Sequence, residues 1–432
     1  MSTTSQASQR INALLDENSF VEIGALVTAR ATDFNLKQTE TPSDGVVTGY
    51  GVIDGNLVYV YSQDASVLNG TVGEMHARKI ANLYDLALKM GAPVIGLIDS
   101  AGLRLQEATD ALNGFGEIYM KQTLASGVIP QITAVFGSCG GGLALIPGMT
   151  DFTFMEEKKA KLFVNAPNAL EGNEVSRCDT AAAAFQSEET GLVDMVADEA
   201  AIMAQIRQLV SILPCNNADI AVDDCTDDLN RACAEIANCV GDTSIALSQI
   251  ADDGLFVEVK QDYAKDMVTG FIRLNGATVG AVANRTEVYN ADGEVTEKFD
   301  AVLSARGAEK AAEFINFCDA FDLPVLSLTN VKGFAATKCS EKRMAKAVGR
   351  LTYAFANATV PKVNLIIGKA YGSAYVAMNS KAVGADITIA WPDAEIGMMD
   401  AKLAAKIICD GQGADAIDAC AKEYAALQNN VA

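Results

Sequence analysis

"GAPVIGLIDSAG" (residues 91–102) and "DLPVLSLTNVKG" (322–333) read alike: a proline, a run of buried-strand residues, then a glycine. Pro93 and Pro324 differ by 231 positions, and so do Gly102 and Gly333, Pro130 and Pro361, Gly137 and Gly368, and Gly141 and Gly372. Glycine and proline hold backbone roles that other residues fill poorly. A constant spacing on such residues is the mark of an internal repeat. Upstream the echo continues with other offsets, as loop-length changes produce. "DENSFVEIG" (16–24) answers "DDGLFVEVK" (252–260), and "VVTGYGVIDGNLVYVYSQ" (46–63) answers "MVTGFIRLNGATVGAVAN" (267–284). The chain therefore reads as one domain twice, over residues 1–214 and 244–432. The polar, acidic segment 215–243, opening with "CNNADIAVDDCTDDLN", reads as the linker.

Each copy has the same order: short strands with turn signals, then an alanine-rich amphipathic helix ("GEMHARKIANLYDLALKMG" and "GAEKAAEFINFCDAFDL"). A buried strand, a glycine-bearing loop, a helix, another strand and a glycine turn come next. Strands alternating with helices predict a layered α/β fold with a mostly parallel sheet.

Charge and composition narrow the function. The formal net charge of -22 over 432 residues argues against nucleic acid or an anionic membrane surface as partner. The cluster "EEKKAKLF" (156–163) offers local positive charge, and reads equally well as a solvated face. The polar start leads us to expect no signal peptide, and no apolar run approaches the ~18 residues of a membrane span. The ten cysteines fall in no zinc-like spacing, so reduced thiols in a cytoplasmic protein and no metal site are expected.

Three consecutive glycines, Gly140, Gly141 and Gly142, lie in "ITAVFGSCGGGLALIPG". The spacing predicts a strand ending near Phe136 and a helix starting around Gly141. The first amides of a helix lack intrahelical partners and sit at its positive end. Without β-carbons in the way, those of Gly141 and Gly142 can converge on one oxygen as an oxyanion hole. In "LIIGKAYGSAYVAM" (365–378) the amides of Ser373 and Ala374 take the equivalent places.

Rival chemistries fit less well. Neither turn has the G-x-G-x-x-G of a dinucleotide site or the Gly-Lys-Ser/Thr of a phosphate loop. A serine hydrolase needs a base, and the one histidine, His76, reads as a helix-start residue or the edge of a ligand site. Asp99, Glu107 and Asp151 are candidate bases that nothing in the sequence gathers together. Paired oxyanion holes with little proton-transfer machinery suit a reaction whose carbonyl becomes an enolate and whose second reactant brings its own base.

At "ASGVIPQITAVFGSCGGG", "TDFTFM", "FANATVPKVNLIIGKAYGSAYVAM" and "AWPDAEIGMM" the chain resembles the biotin-dependent acyl-CoA carboxyltransferases. These are the β subunits of propionyl-CoA carboxylase and the related α subunits of methylmalonyl-CoA and glutaconyl-CoA decarboxylases. The likeness runs from "RINALLDENSFVEIG" to about residue 410. It implies tandem crotonase-like domains and a homo-oligomer with a dimer core, either alone or as a trimer of dimers. It places the acyl-CoA thioester on the first half, its carbonyl held by the Gly141 and Gly142 amides beside Ala101, Gly102 and Gly140. Tyr371, Gly372, Tyr375 and Val376 are further substrate contacts that it implies. The ureido oxygen of biotin would lie on the second half at Ser373 and Ala374, with Gly333 and Phe334 along its channel.

Biotin would arrive on a separate carrier protein, because the only string near its attachment motif, "ALKM" (87–90), sits in a helical stretch. A biotin carboxylase or a membrane decarboxylase subunit would be a further partner. One departure from the family is "KGFAATKCSE" after Val331, where relatives carry a Pro-Gly. The alternatives kept open are a crotonase-like hydratase or thioesterase using one hole, and a carboxyltransferase-like scaffold without activity.

Overall fold

A computed structural model describes residues 5–31, 40–228 and 230–431. The chain divides into two compact units, residues 1–221 and 222–432.

In the first, an antiparallel hairpin of Val46–Ile53 and Asn56–Gln63 is followed by helix Glu74–Met90, strand Val94–Ser100, helix Ala108–Ala125 and strand Gln131–Gly140. The hairpin turns on Asp54-Gly55, both at positive φ (49° and 85°), the conformation that matches the twist of two-residue hairpins. From Asn56–Gln63 onward every pairing is parallel: to Val94–Ser100, to Gln131–Gly140, to Phe152–Glu156 and to Met195–Ala197. Each parallel step needs a crossover, and the two helices supply the first two. Helix Glu74–Met90 buries Ile80, Leu83, Tyr84 and Ala87, one face at helical spacing, and ends at Gly91 in the left-handed conformation. That face packs with Tyr61, Val94, Ile98, Phe115 and Ile118 into the core of the unit.

The second unit repeats this plan. Strands Val325–Val331 and Lys362–Tyr371 coincide with Val94–Ser100 and Gln131–Gly140 at the offset of 231. Its hairpin, Met267–Leu274 with Ala277–Asn284, turns on Asn275-Gly276 and stands 221 positions from the first. The ten-residue difference lies between Asn284 and helix Ala305–Ala320, where a small ladder of Glu287–Tyr289 and Val295–Lys298 is inserted. A strand opening is also repeated. The Gln131 amide donates to the Asp151 carboxylate (2.8 Å) and the Lys362 amide to that of Asp386 (2.8 Å).

Two expectations need correction. The strand before the triple glycine does not end near Phe136 but continues to Gly140, because Ser138–Gly140 pairs with a short extra strand, Lys161–Phe163. Beyond Gly140 the chain makes a 3-10 turn over Gly141–Leu145 rather than an α-helix. Within the acidic segment after residue 221, Val222 bridges Ala277, and Arg231 donates to the carbonyls of Gln249 (2.8 Å) and Ala251 (2.8 Å). That segment is part of the second unit.

Candidate active site: two glycine turns

Each turn forms at the carboxyl end of its sheet, where open α/β sheets bind ligands. Gly141 and Gly372 both take left-handed backbone, φ 64° and 59°, at the offset of 231. A residue in this conformation beside one with negative φ makes successive N–H groups converge, a concave donor site for an oxygen. The adjoining loops match as well. The Val72 amide donates to the Gly102 carbonyl (2.8 Å) and the Leu303 amide to that of Gly333 (2.9 Å). Arg104 and Ala335 then return a bond to Val72 and Leu303, both 3.0 Å. The altered loop after Val331 thus keeps the backbone course of its counterpart. Ser100 pairs with Cys139, and Val331 with Ala370, so each loop lies beside its own turn.

The first unit accordingly brings together Ala101, Gly102, Gly140, Gly141 and Gly142. The second brings together Gly333, Phe334, Tyr371, Gly372, Ser373 and Ala374. Gly142 and Ser373 are exposed at matching positions, whereas Ala374 is buried and corresponds to Leu143. The register therefore sets Gly372 and Ser373 opposite Gly141 and Gly142. The expected equivalence with Ser373 and Ala374 is one residue out of step. Of the other candidates, Val376 is 40 % exposed and Tyr375 half-buried, while Tyr371 is buried and its hydroxyl donates to Glu395. Tyr371 offers a ligand its backbone rather than its phenol.

Several supporting residues escaped the sequence reading. The Tyr119 hydroxyl donates to the Gly142 carbonyl at 2.5 Å and anchors the first turn from helix Ala108–Ala125. A β-carbon on Gly140 would fall 2.7 Å from the Phe163 ring. Gly137 and Gly368 make room for side chains of the neighbouring strand: a β-carbon there would lie 1.9 Å from Asp99 Oδ1 or 2.6 Å from Asn330 Oδ1. Asp99 and Asn330 are themselves 231 apart, a signal that was available once the glycines had been matched.

The candidate bases are placed elsewhere. His76 is fully buried, with Nδ1 2.9 Å from the Asp44 carbonyl and Nε2 3.2 Å from Gln63 Nε2. This network assigns the proton to Nδ1, and burial pushes the imidazole pKa down to about 3. Asp99 pairs with Arg10 (3.1 Å). Glu107 is buried on Arg104 (2.8 Å) and the Glu74 amide (2.6 Å). Asp151, raised to about 7 by burial, sits at the start of strand Gln131–Gly140, the end opposite the turn. The basic cluster after Glu156 is a solvated turn: Glu156 accepts the Lys158 and Lys159 amides, and Lys161 pairs with Asp179 (2.6 Å). Among the described residues no group of three or more His, Cys, Asp or Glu side chains is placed to hold a metal ion.

Two copies of an α/β unit, each with a left-handed glycine turn at the carboxyl end of its sheet, define a protein of crotonase-like fold. Residues 4–432 match the carboxyl transferase domain family, and the chain belongs to it. It is 40 % identical over 428 residues to methylmalonyl-CoA decarboxylase subunit alpha of Propionigenium modestum, covering 96 % of this chain and 81 % of that one. It is also 40 % identical over 422 residues to the propionyl-CoA carboxylase beta chain of Roseobacter denitrificans, covering 95 % and 81 %. Among solved structures, transcarboxylase 12S with hydrolysed methylmalonyl-coenzyme A bound superposes with a TM-score of 0.91 at 34 % identity, over 98 % of this chain and 83 % of that one.

Proposed function

We propose that this carboxyltransferase moves a carboxyl group between biotin and the α-carbon of a short acyl-CoA, holding the thioester on the first unit and biotin on the second. The observation that carries this reading is the duplicated turn: one oxyanion site for each of two oxygens that gain negative charge. On the first unit the Gly141 and Gly142 amides take up the charge that builds on the thioester oxygen as the enolate forms. A preorganised donor of this kind contributes ~3–4 kcal/mol at the transition state. Ala101, Gly102 and Gly140 form the wall beside them.

On the second unit the donors we assign lie one residue further on than in the first: the uncharged amides of Ser373 and Ala374, in the first turn of helix Gly372–Ala377, which suit the oxygen of a neutral urea. A β-carbon at Gly333 would meet nothing within 4 Å, and Phe334 is 37 % exposed, so the loop leaves room and an aromatic surface for a small bicycle. Biotin, when bound, supplies the carboxyl acceptor or donor and the base for the α-proton. The chain's own residues position and stabilise. Tyr371, Gly372, Tyr375 and Val376 line the approach to the second turn, where Val376 presents an exposed apolar side chain.

A hydratase or thioesterase would need a carboxylate beside Gly102 or Gly141. The three carboxylates singled out from sequence are bonded to Arg10, to Arg104, or at the far end of the strand, which favours the carboxyltransferase reading. The partners that go with it are a biotin carboxyl carrier protein and either a biotin carboxylase or a membrane decarboxylase subunit. A homo-oligomer with a dimer core in the cytoplasm completes it. Transcarboxylase 12S assembles as a hexamer, and no helix among the described residues here is long and apolar enough to cross a membrane.

The test is to mix the purified chain with free biotin and malonyl-CoA or methylmalonyl-CoA. Slow biotin-dependent decarboxylation is expected. A folded protein that turns over no short acyl-CoA sinks the proposal, and hydration without biotin would favour the rival. Recovering the complex from native cells identifies the partner subunit.

A further inference from the structure

The two turns are backed in opposite ways. In the first unit Gly140 pairs across the ladder with Phe163, and the aromatic ring lies on the outer strand. In the second the pair is reversed: Tyr371 stands on the turn strand and Gly397 on the outer strand Glu395–Gly397. A phenylalanine ring needs no polar partner, but a buried tyrosine hydroxyl does. Tyr371 finds one in Glu395, and a second at long range in Asn429 Nδ2 (3.5 Å).

Asn429 holds the same segment by other bonds. It is 3 % exposed, its Nδ2 donates to the Met399 carbonyl (3.2 Å), and its own carbonyl accepts from the Ile396 amide (3.3 Å). The next residue, Asn430, bridges Glu395 antiparallel. A β-carbon on Gly397 would fall 2.3 Å from Asn429 Oδ1, so Gly397 makes the space that Asn429 fills. The segment so held packs directly behind the turn, since a β-carbon on Gly372 would be 3.0 Å from the Met398 carbonyl.

We propose that Asn429 is a positioning residue for the second turn. Through the Met399 and Ile396 backbone and the Tyr371 hydroxyl it fixes the strand against which the Gly372–Ala374 amides are set. The first turn is held differently: the Phe163 ring packs behind Gly140, and the Tyr119 hydroxyl anchors the Gly142 carbonyl. The role assigned to the second turn rests on the function proposed above; the mechanical statement does not.

The test therefore has two readouts, on Asn429→Ala, on Asn429→Asp, which keeps the shape but removes the donor, and on Tyr371→Phe. Amide hydrogen exchange in the folded proteins should rise at least tenfold over residues 371–378 in the Asn429 variants, less in Tyr371→Phe, and stay within twofold over 139–146. In biotin-dependent decarboxylation of methylmalonyl-CoA, kcat/KM for free biotin should fall about tenfold while KM for methylmalonyl-CoA stays within twofold. Adding Tyr371→Phe to Asn429→Ala should give less than the product of the single losses. Unchanged exchange over 371–378 overturns the proposal, and so does an equal loss on both substrates. If the parent protein ignores biotin, the functional reading fails, and the exchange data alone decide whether Asn429 positions the turn.

Discussion

His76 and Asp151 are buried in the same unit with opposite displacements, the imidazole down to about 3 and the carboxyl up to about 7. His76 is neutral in the fold and takes up a proton once unfolded. Its contribution is present above pH 6.5 and is lost as the pH falls toward its folded value. For Asp151 the sign reverses: its neutral form is favoured in the fold, and stability is lost as the pH rises from 3.8 toward 7. Between pH 7 and 5 each amounts to about 2 kcal/mol by linkage, and the two cancel. Relative to the parent, His76→Gln should therefore gain about 2 kcal/mol on acidification across this window. Asp151→Asn should lose about as much over the same window. Urea denaturation at both pH values checks this, and parallel pH profiles for all three proteins would refute it.

Within the turn as an element, two different constraints act on neighbouring glycines. Gly141 requires left-handed backbone, although a β-carbon there would touch nothing within 4 Å. Gly142 has ordinary φ, but a β-carbon would lie 3.1 Å from the Tyr119 hydroxyl. Alanine at 141 thus meets a conformational cost of about 1–2 kcal/mol, while alanine at 142 needs only a small retreat of a phenol. Gly141→Ala is expected to lower kcat by ten- to a hundredfold, and Gly142→Ala by a few-fold. Steady-state rates on the folded variants decide it, and the reverse ranking would mean that Tyr119, not the left-handed turn, limits the donor geometry.

Across the full chain, the proposal of one oxyanion site on each unit predicts separable defects. Gly142→Val forces a branched side chain against Tyr119 and should abolish turnover, at least a hundredfold for the ~3 kcal/mol of one lost donor. Ala374→Pro removes an amide from the second turn and should impair use of biotin while methylmalonyl-CoA still binds. Proline also restricts Ser373, so a thermal melt must show that the variant is folded. Full activity in folded Gly142→Val would reduce the three glycines to a plain turn. Equal damage to both substrates by Ala374→Pro would break the assignment of one ligand to each unit.

The duplication and the place of the two turns are legible in the residues alone. Glycine and proline carry backbone conformation in their identity, so Gly141 and Gly372 read as equivalent positions without coordinates. The Asp-Gly and Asn-Gly hairpins and the alternation of strands with helices belong to the same class, because local preference and the fold agree there. The length of the strand before Gly141 is a different matter, since its last three residues are held by Lys161–Phe163, a partner more than twenty positions away. The same offset of 231 already sets Ser373 opposite Gly142, whereas packing alone settles that His76 is a buried neutral ring rather than part of a ligand site. Tyr119, Phe163 and Asn429 reach the turns from elements distant in the chain, and contacts across such distances leave no periodic mark in the residues themselves.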